Sequence, residues 1–179
     1  MVKRLSAEIP SSETVLVDSN VLIYLHTNFP LESKHEDKRY VYSKAIGSLL
    51  KNNITLITTI LNVAEVFGYI ERKAFEIYKI KNDLDDSFFK KNFRKLPKQR
   101  EFVHKEMLQA YNEISHFYIF RDATYKQKWM DQFAFTYLQH QYDPSDFIMV
   151  SIAEREEITE IITDDKDFYD NSKFTIYTY

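Results

Sequence analysis

The chain has 179 residues, 44% hydrophobic and 16% aromatic, enough apolar surface for one packed core and too much for a disordered chain. With only 2 Gly and no Cys, it contains no Gly-rich phosphate loop, disulfide, thiolate metal site or cysteine nucleophile. A net charge of −3 weighs mildly against a polyanion-binding protein, although a carboxylate-rich metal site lowers net charge by itself.

The first ten residues carry Lys3, Arg4 and Glu8 and no apolar run of signal-peptide length. No stretch approaches the roughly 18 apolar residues of a membrane span, so a soluble, cytoplasmic protein without membrane contact is expected. Thr14–Val17 is a short β-branched run, apolar on both faces, which predicts a buried parallel strand. Asn20–Leu25 follows as a short helix. Glu36–Asn52 shows a helical apolar stripe through Val41, Ala45 and Leu49, and Asn52-Asn53 ends it. Ile54–Thr58 is a second buried strand. From Ile60, apolar residues at 60, 63, 64 and 67 predict another helix. Asp83–Pro97 has no clean period and is expected to be a loop with short helical pieces. Lys98–Ile114 is helical in spacing, His116–Arg121 is a candidate strand, and Tyr125–Gln139 is a helix with an aromatic face. Asp143–Glu157 and Ile158–Thr163 are expected as helix and strand. Phe174–Tyr179 alternates like an edge strand. Strands alternating with helices predict an α/β fold around a largely parallel sheet, with ligands gathering at the strands' carboxyl ends.

Four acidic positions, two just past strand ends and two on helices, are placed so that they could converge on that side of the sheet. Asp18 stands directly after the first strand, where it is equally suited to capping the next helix. Glu65 lies within an apolar helix, either on an ordinary exposed face or beside space opened by Gly68, one turn away; a mid-helix Gly costs about 1 kcal/mol relative to Ala. In Asp143-Pro144-Ser145-Asp146, Asp143 suits the N-cap and Pro144 the first helical position, so Asp146 suits the helix dipole as well as a site. Asp164, Asp165 and Asp167 follow the strand ending at Thr163, as turn-formers or as ligands. Carboxylates gathered on one side of the sheet repel unless compensated, and a hard divalent cation supplies that compensation. The chemistry suited to such a site is attack of water on a phosphodiester.

Four blocks in order then resemble the PIN-domain family: Val15-Leu-Val-Asp18-Ser-Asn-Val-Leu-Ile-Tyr24, Asn62-Val-Ala-Glu65-Val-Phe67, Pro144-Ser-Asp146-Phe-Ile-Met-Val-Ser-Ile-Ala153 and Ile161-Ile-Thr163-Asp-Asp165-Lys-Asp167-Phe168. The resemblance spans nearly the whole chain. It implies a three-layer α/β/α sandwich, a single domain over 1–179, and a Mg²⁺- or Mn²⁺-dependent endoribonuclease leaving a 5′-phosphate and a 3′-hydroxyl. Asp18, Glu65, Asp146 and Asp165 fall on the family's catalytic and metal-binding acids, Asn20 and Thr163 on its supporting polar positions, and Asp167 is an accessory candidate. The family pattern selects Asp165 over its neighbour Asp164. Many small prokaryotic members are VapC-type toxins, which implies an antitoxin partner and a homodimer as expectations beside the RNA substrate. The interval from Glu65 to Asp146 is longer than in compact VapC-like chains, with the excess around 83–105, as a helical, basic insertion.

That segment holds the candidate RNA-binding residues Lys90, Lys91, Arg94, Lys95, Lys98 and Arg100, with Phe88, Phe89, Phe93 and Phe102 interleaved. Cations neutralise phosphates and aromatic rings stack on bases; the competing reading is a solvated helix face with phenylalanines in the core. The five histidines, 26, 35, 104, 116 and 140, have no zinc-ligand spacing and receive no role. Two rivals stand beside the nuclease. One is a phosphatase using Asp18 as nucleophile, disfavoured because Asn20 stands where a second acid is needed. The other is a catalytically silent PIN-like module that binds RNA or protein.

Overall fold

The structure is a computed structural model describing residues 1–30, 33–121, 127–136 and 143–179. Six strands are β1 (Val2–Arg4), β2 (Thr14–Val17), β3 (Thr55–Thr59), β4 (Ile119–Arg121), β5 (Glu160–Ile162) and β6 (Thr175–Thr178). The helices are α1 (Ser19–His26), α2 (Ser33–Lys51), α3 (Ile60–Lys81), α4 (Lys90–Phe93), α5 (Pro97–Phe117), α6 (Gln127–Thr136) and α7 (Pro144–Arg155). The sheet order is β1-β6-β5-β2-β3-β4, and every pairing is parallel.

Strand side chains alternate between faces, and the alternation here separates two cores. Val15, Val17, Leu56, Ile162 and Tyr177 point into a large core shared with α1, α2, α3 and α5. Leu16, Ile57, Ile161 and Ile176 point the other way, against Met149, Val150 and Ala153 of α7. Central strands apolar on both faces therefore need helices on both faces, which is the expected three-layer α/β/α sandwich. Helix α2 ends as its Asn52-Asn53 pair predicts: Asn53 takes a left-handed φ of 58°, and Ile54 N–H donates to Leu49 O at 3.0 Å.

Two strand expectations need correction. Phe174–Tyr179 is not an edge: β6 lies between β5 and β1, and β1 takes the outer place. Val2-Lys3-Arg4 escapes pattern recognition because it is three residues long and two of them are cations, as suits an exposed edge. Residues 116 and 117 belong to α5 rather than to the following strand, which begins at Ile119. Of the expected helix 125–139, residues 127–136 form α6 and the rest lie outside the described residues.

The topology fixes where ligands collect. From β2 the chain crosses to β3 on one side, while β5 pairs on the other side. The crevice past the carboxyl ends of β2 and β5 is thus a switch point. Residues 18 and 163–165 lie there.

Candidate metal centre

Asp18 is 4% exposed and occupies the N-cap of α1, so the capping role and the site role coincide in one residue. Its backbone N–H donates to Ile162 O at 3.1 Å, locking the ends of β2 and β5 together. One carboxylate oxygen accepts from Ser19 N–H at 2.6 Å, and the other from Asn20 Nδ2 and Thr163 Oγ1, both at 2.7 Å. Burial pushes the Asp18 carboxyl up to about 6; bonds from Thr163 and Ser19 oppose this, and the charges of Glu65 and Asp165 add to it. Asn20 and Thr163, expected from the sequence as supporting polar residues, both donate to the Asp18 carboxylate. Thr163 Oγ1 also accepts from Asp165 N–H at 2.9 Å and Asn20 Oδ1 from Asp164 N–H at 3.0 Å, so the turn after β5 is tied to α1.

Asp146 lies in the first turn of α7, where Asp143 caps as expected: its Oδ1 accepts from Ser145 N–H at 2.7 Å and Asp146 N–H at 2.9 Å. The Asp146 carboxyl is pushed up to about 8, by burial first and then by the charges of Asp143, Asp18, Asp165 and Glu65. These effects outweigh the helix dipole, which alone would favour the anion. Among the described residues no hydrogen-bond donor or cation reaches its carboxylate.

Asp165 caps a short 3₁₀ turn, Lys166–Phe168, and its Oδ1 accepts from Asp167 N–H at 2.9 Å. One carboxylate oxygen each from Asp146, Asp165 and Asp167 lie within 4.8 Å of one another. Asp18 and Glu65 stand outside that tight group but share its field, since both charges push up Asp146 and that of Glu65 pushes up Asp18. Glu65 is exposed, and no heavy atom comes within 4 Å of where a Cβ would sit on Gly68. Space beside Glu65 is open, and no packing contact demands that glycine.

The donor set fits a hard divalent cation. It is all carboxylate oxygen, it is electrostatically frustrated without a cation, and half-buried Asp146 has no hydrogen-bond donor or cation on its carboxylate among the described residues. The Asp164–Asp165 doublet is separated by geometry. Asp164 faces the opposite way, accepting from Lys38 Nζ at 2.5 Å and Tyr24 Oη at 2.9 Å.

Sequence reasoning missed several residues that build this region. Asn62 is buried; its Nδ2 donates to Val17 O at 3.0 Å and Thr58 Oγ1 at 3.2 Å, and Thr59 caps its N–H at 3.2 Å. This network pins the start of α3 to the end of β2, immediately before Asp18. A lone amide between Leu61 and Val63 was the available hint. Lys38, Tyr24 and Tyr42 carried none.

The basic segment is mixed. Arg94 forms a two-pronged bond with Glu71, at 2.6 Å on each prong, and Lys90 lies 3.9 Å from the same carboxylate. Phe93 is buried and Phe88 packs on Phe75 and Tyr78, so these two are core. Lys91, Lys95, Lys98, Arg100 and Phe89 are exposed, and the four cations have no acidic partner among the described residues.

A three-layer α/β/α sandwich with acids gathered at the switch point of a parallel sheet puts the cluster where ligands collect in such folds. The chain belongs to the PIN domain family, whose model matches residues 15–173. Among solved structures it is similar to a chain of VapBC2 from Rickettsia felis bound to a DNA fragment from their promoter. The TM-score is 0.54 at 15% identity, covering 93% of this chain and 98% of that one, a likeness of fold. No curated protein matches the chain.

Proposed function

We propose that this protein is a Mg²⁺- or Mn²⁺-dependent endoribonuclease. The observation that carries the reading is the convergence of Asp146 and Asp165, with Asp167, at the sheet's switch point, in the field of Asp18 and Glu65 and without a counter-cation among the described residues. Membership of the PIN family supports it. Asp18, Asp146 and Asp165 would hold the cation, with Glu65 completing the set and Asp167 accessory. A bound divalent ion lowers the pKa of a coordinated water and offsets charge at the scissile phosphate.

The chain's own residues do the rest. Asn20 and Thr163 fix the Asp18 carboxylate through hydrogen bonds, so its orientation is set before any ligand arrives. Asp146 and Asp18, both pushed up, hold protons that a cation displaces, so binding releases protons and strengthens as pH rises through about 6 and about 8. His26 is held away from this role, bonded to Glu113 at 3.2 Å and Tyr118 at 3.1 Å. Exposed Lys91, Lys95, Lys98 and Arg100, with Lys90 and Arg94 beside them, would hold the RNA backbone from the 83–105 segment, an elaboration of a single domain.

A toxin role with an antitoxin and a homodimer draws support from the fold's likeness to a chain of a VapBC assembly. We place it in the cytoplasm; no helix among the described residues is long and apolar enough to cross a membrane. Labelled single-stranded and structured RNAs, incubated with Mg²⁺, Mn²⁺ or EDTA, test the reading. Cleavage should need metal, leave 5′-phosphates and vanish in Asp18→Asn and Asp146→Asn. Cyclic-phosphate products, or variants as active as wild type, would refute it.

A further inference from the structure

Past the end of β5, neighbouring Asp164 and Asp165 send their side chains opposite ways, and Asp165 is extended, with φ −84° and ψ 126°. Asp165 turns toward Asp146 and Asp167, and Asp164 turns toward α1 and α2. Its carboxylate is met there from three directions. Lys38 Nζ on α2 donates to Oδ2 at 2.5 Å, Tyr24 Oη on α1 to Oδ2 at 2.9 Å, and Tyr42 Oη on α2 to Oδ1 at 3.3 Å. The Lys38–Asp164 pair is only 21% and 16% exposed in its side chains, and the two tyrosine rings stack with centroids 5.9 Å apart. Lys38 also sits 5.8 Å from the Tyr24 ring centroid. A charge-assisted contact so enclosed is costly to assemble and rigid once made.

We propose that Asp164 is a positioning residue: Lys38, Tyr24 and Tyr42 clamp its side chain, and the clamp aims Asp165 into the metal centre. The proposal rests on the metal-dependent reading above. The mechanical link is short. Asp164 N–H donates to Asn20 Oδ1, Asn20 Nδ2 donates to Asp18, and Asp165 N–H donates to Thr163 Oγ1, which itself donates to Asp18. The side chain of residue 164 thus holds a turn whose backbone is bonded to the groups that orient Asp18. Lys38 neutralises Asp164 locally, so the doublet presents one free negative charge to the site and not two.

The alternatives give opposite signs, which makes the idea testable. Mn²⁺ affinity of the full chain is measured by calorimetry for wild type, Lys38→Met, Lys38→Arg, Asp164→Asn and the Lys38→Met/Asp164→Asn double variant. Positioning predicts that Lys38→Met and Asp164→Asn each weaken binding about tenfold or more, the usual size for groups that orient ligands. The double variant should be no worse than either single one, and Lys38→Arg should restore affinity. RNA KM at saturating metal should stay at the wild-type value. If Lys38→Met tightens Mn²⁺ binding while Asp164→Asn abolishes it, Asp164 is itself a ligand and the proposal fails. If neither changes affinity, the clamp idea fails while the nuclease reading stands; if Lys38→Met raises only the RNA KM, Lys38 contacts substrate and the clamp idea fails likewise. If wild type binds no Mn²⁺, the reading fails and the clamp with it. Should Lys38→Met not fold, judged by circular dichroism, Tyr24→Phe and Tyr42→Phe carry the same expectations of weaker Mn²⁺ binding.

Discussion

Asp146 shows how one residue can be legible for the wrong reason. Its place in the first turn of α7, behind an Asp-Pro cap, explains an acid there without any function, and the cap is present as expected. What the local sequence does not contain is the burial and the approach of residues 165 and 167. Those depend on the sheet bringing β5 beside α7. The same limit applies to the doublet: the partners that mark Asp164 as occupied lie 126 and 140 positions away, at Lys38 and Tyr24. Asp18 was legible because a strand end is a local feature.

The raised carboxyls have a consequence for stability. An unfolded Asp titrates near 3.8, whereas Asp18 and Asp146 titrate at about 6 and about 8 in the folded, metal-free chain. The folded state then binds protons more tightly, so the stabilisation is fully present below about pH 4 and is lost as pH rises through about 6 and about 8. In EDTA, thermal unfolding should therefore occur at lower temperature at pH 8.5 than at pH 5.5, once the other groups' background is subtracted using Asp146→Asn. That variant should lose the part of the slope between about pH 6 and about pH 8. Saturating Mn²⁺ should raise the unfolding temperature most at the higher pH, and an unfolding temperature that climbs with pH in EDTA would oppose this account.

At the scale of elements, two-faced apolar strands made β2, β3 and β5 readable and the three-layer arrangement with them. Leu16 points into the α7-side core and is fully buried; Leu16→Ala should cost about 2–5 kcal/mol in denaturant unfolding. Asn62 holds the start of α3 against Val17 and Thr58, so Asn62→Ala should cost about 1–3 kcal/mol and displace Glu65, lowering Mn²⁺ affinity as well as stability. Stability loss without any change in metal affinity would show that Glu65 stands apart from the centre. Strand β1 was not readable, because three residues with two cations carry no alternation. Its absence from the sequence reading is what made β6 look like an edge.

For the whole molecule, net charge of −3 hides a segregation. Acids crowd the switch point while exposed cations at 91, 95, 98 and 100 occupy the segment after α3. Replacing those four with Ala should raise the RNA KM and flatten its salt dependence while leaving Mn²⁺ affinity unchanged, since phosphate contacts act through counterion release. An unchanged KM would return this segment to the status of a solvated face. The aromatic residues there divided by position and not by type: Phe93 is core and Phe89 is surface, a distinction set by how α4 packs on α3 and invisible in composition.

The most direct test of the central claim is anomalous diffraction from crystals of the protein grown or soaked with Mn²⁺. The account predicts a Mn²⁺ peak held by the carboxylates of Asp18, Asp146 and Asp165, with Asp164 still bound to Lys38. A peak at Asp164, or none among these acids at saturating Mn²⁺, would contradict it.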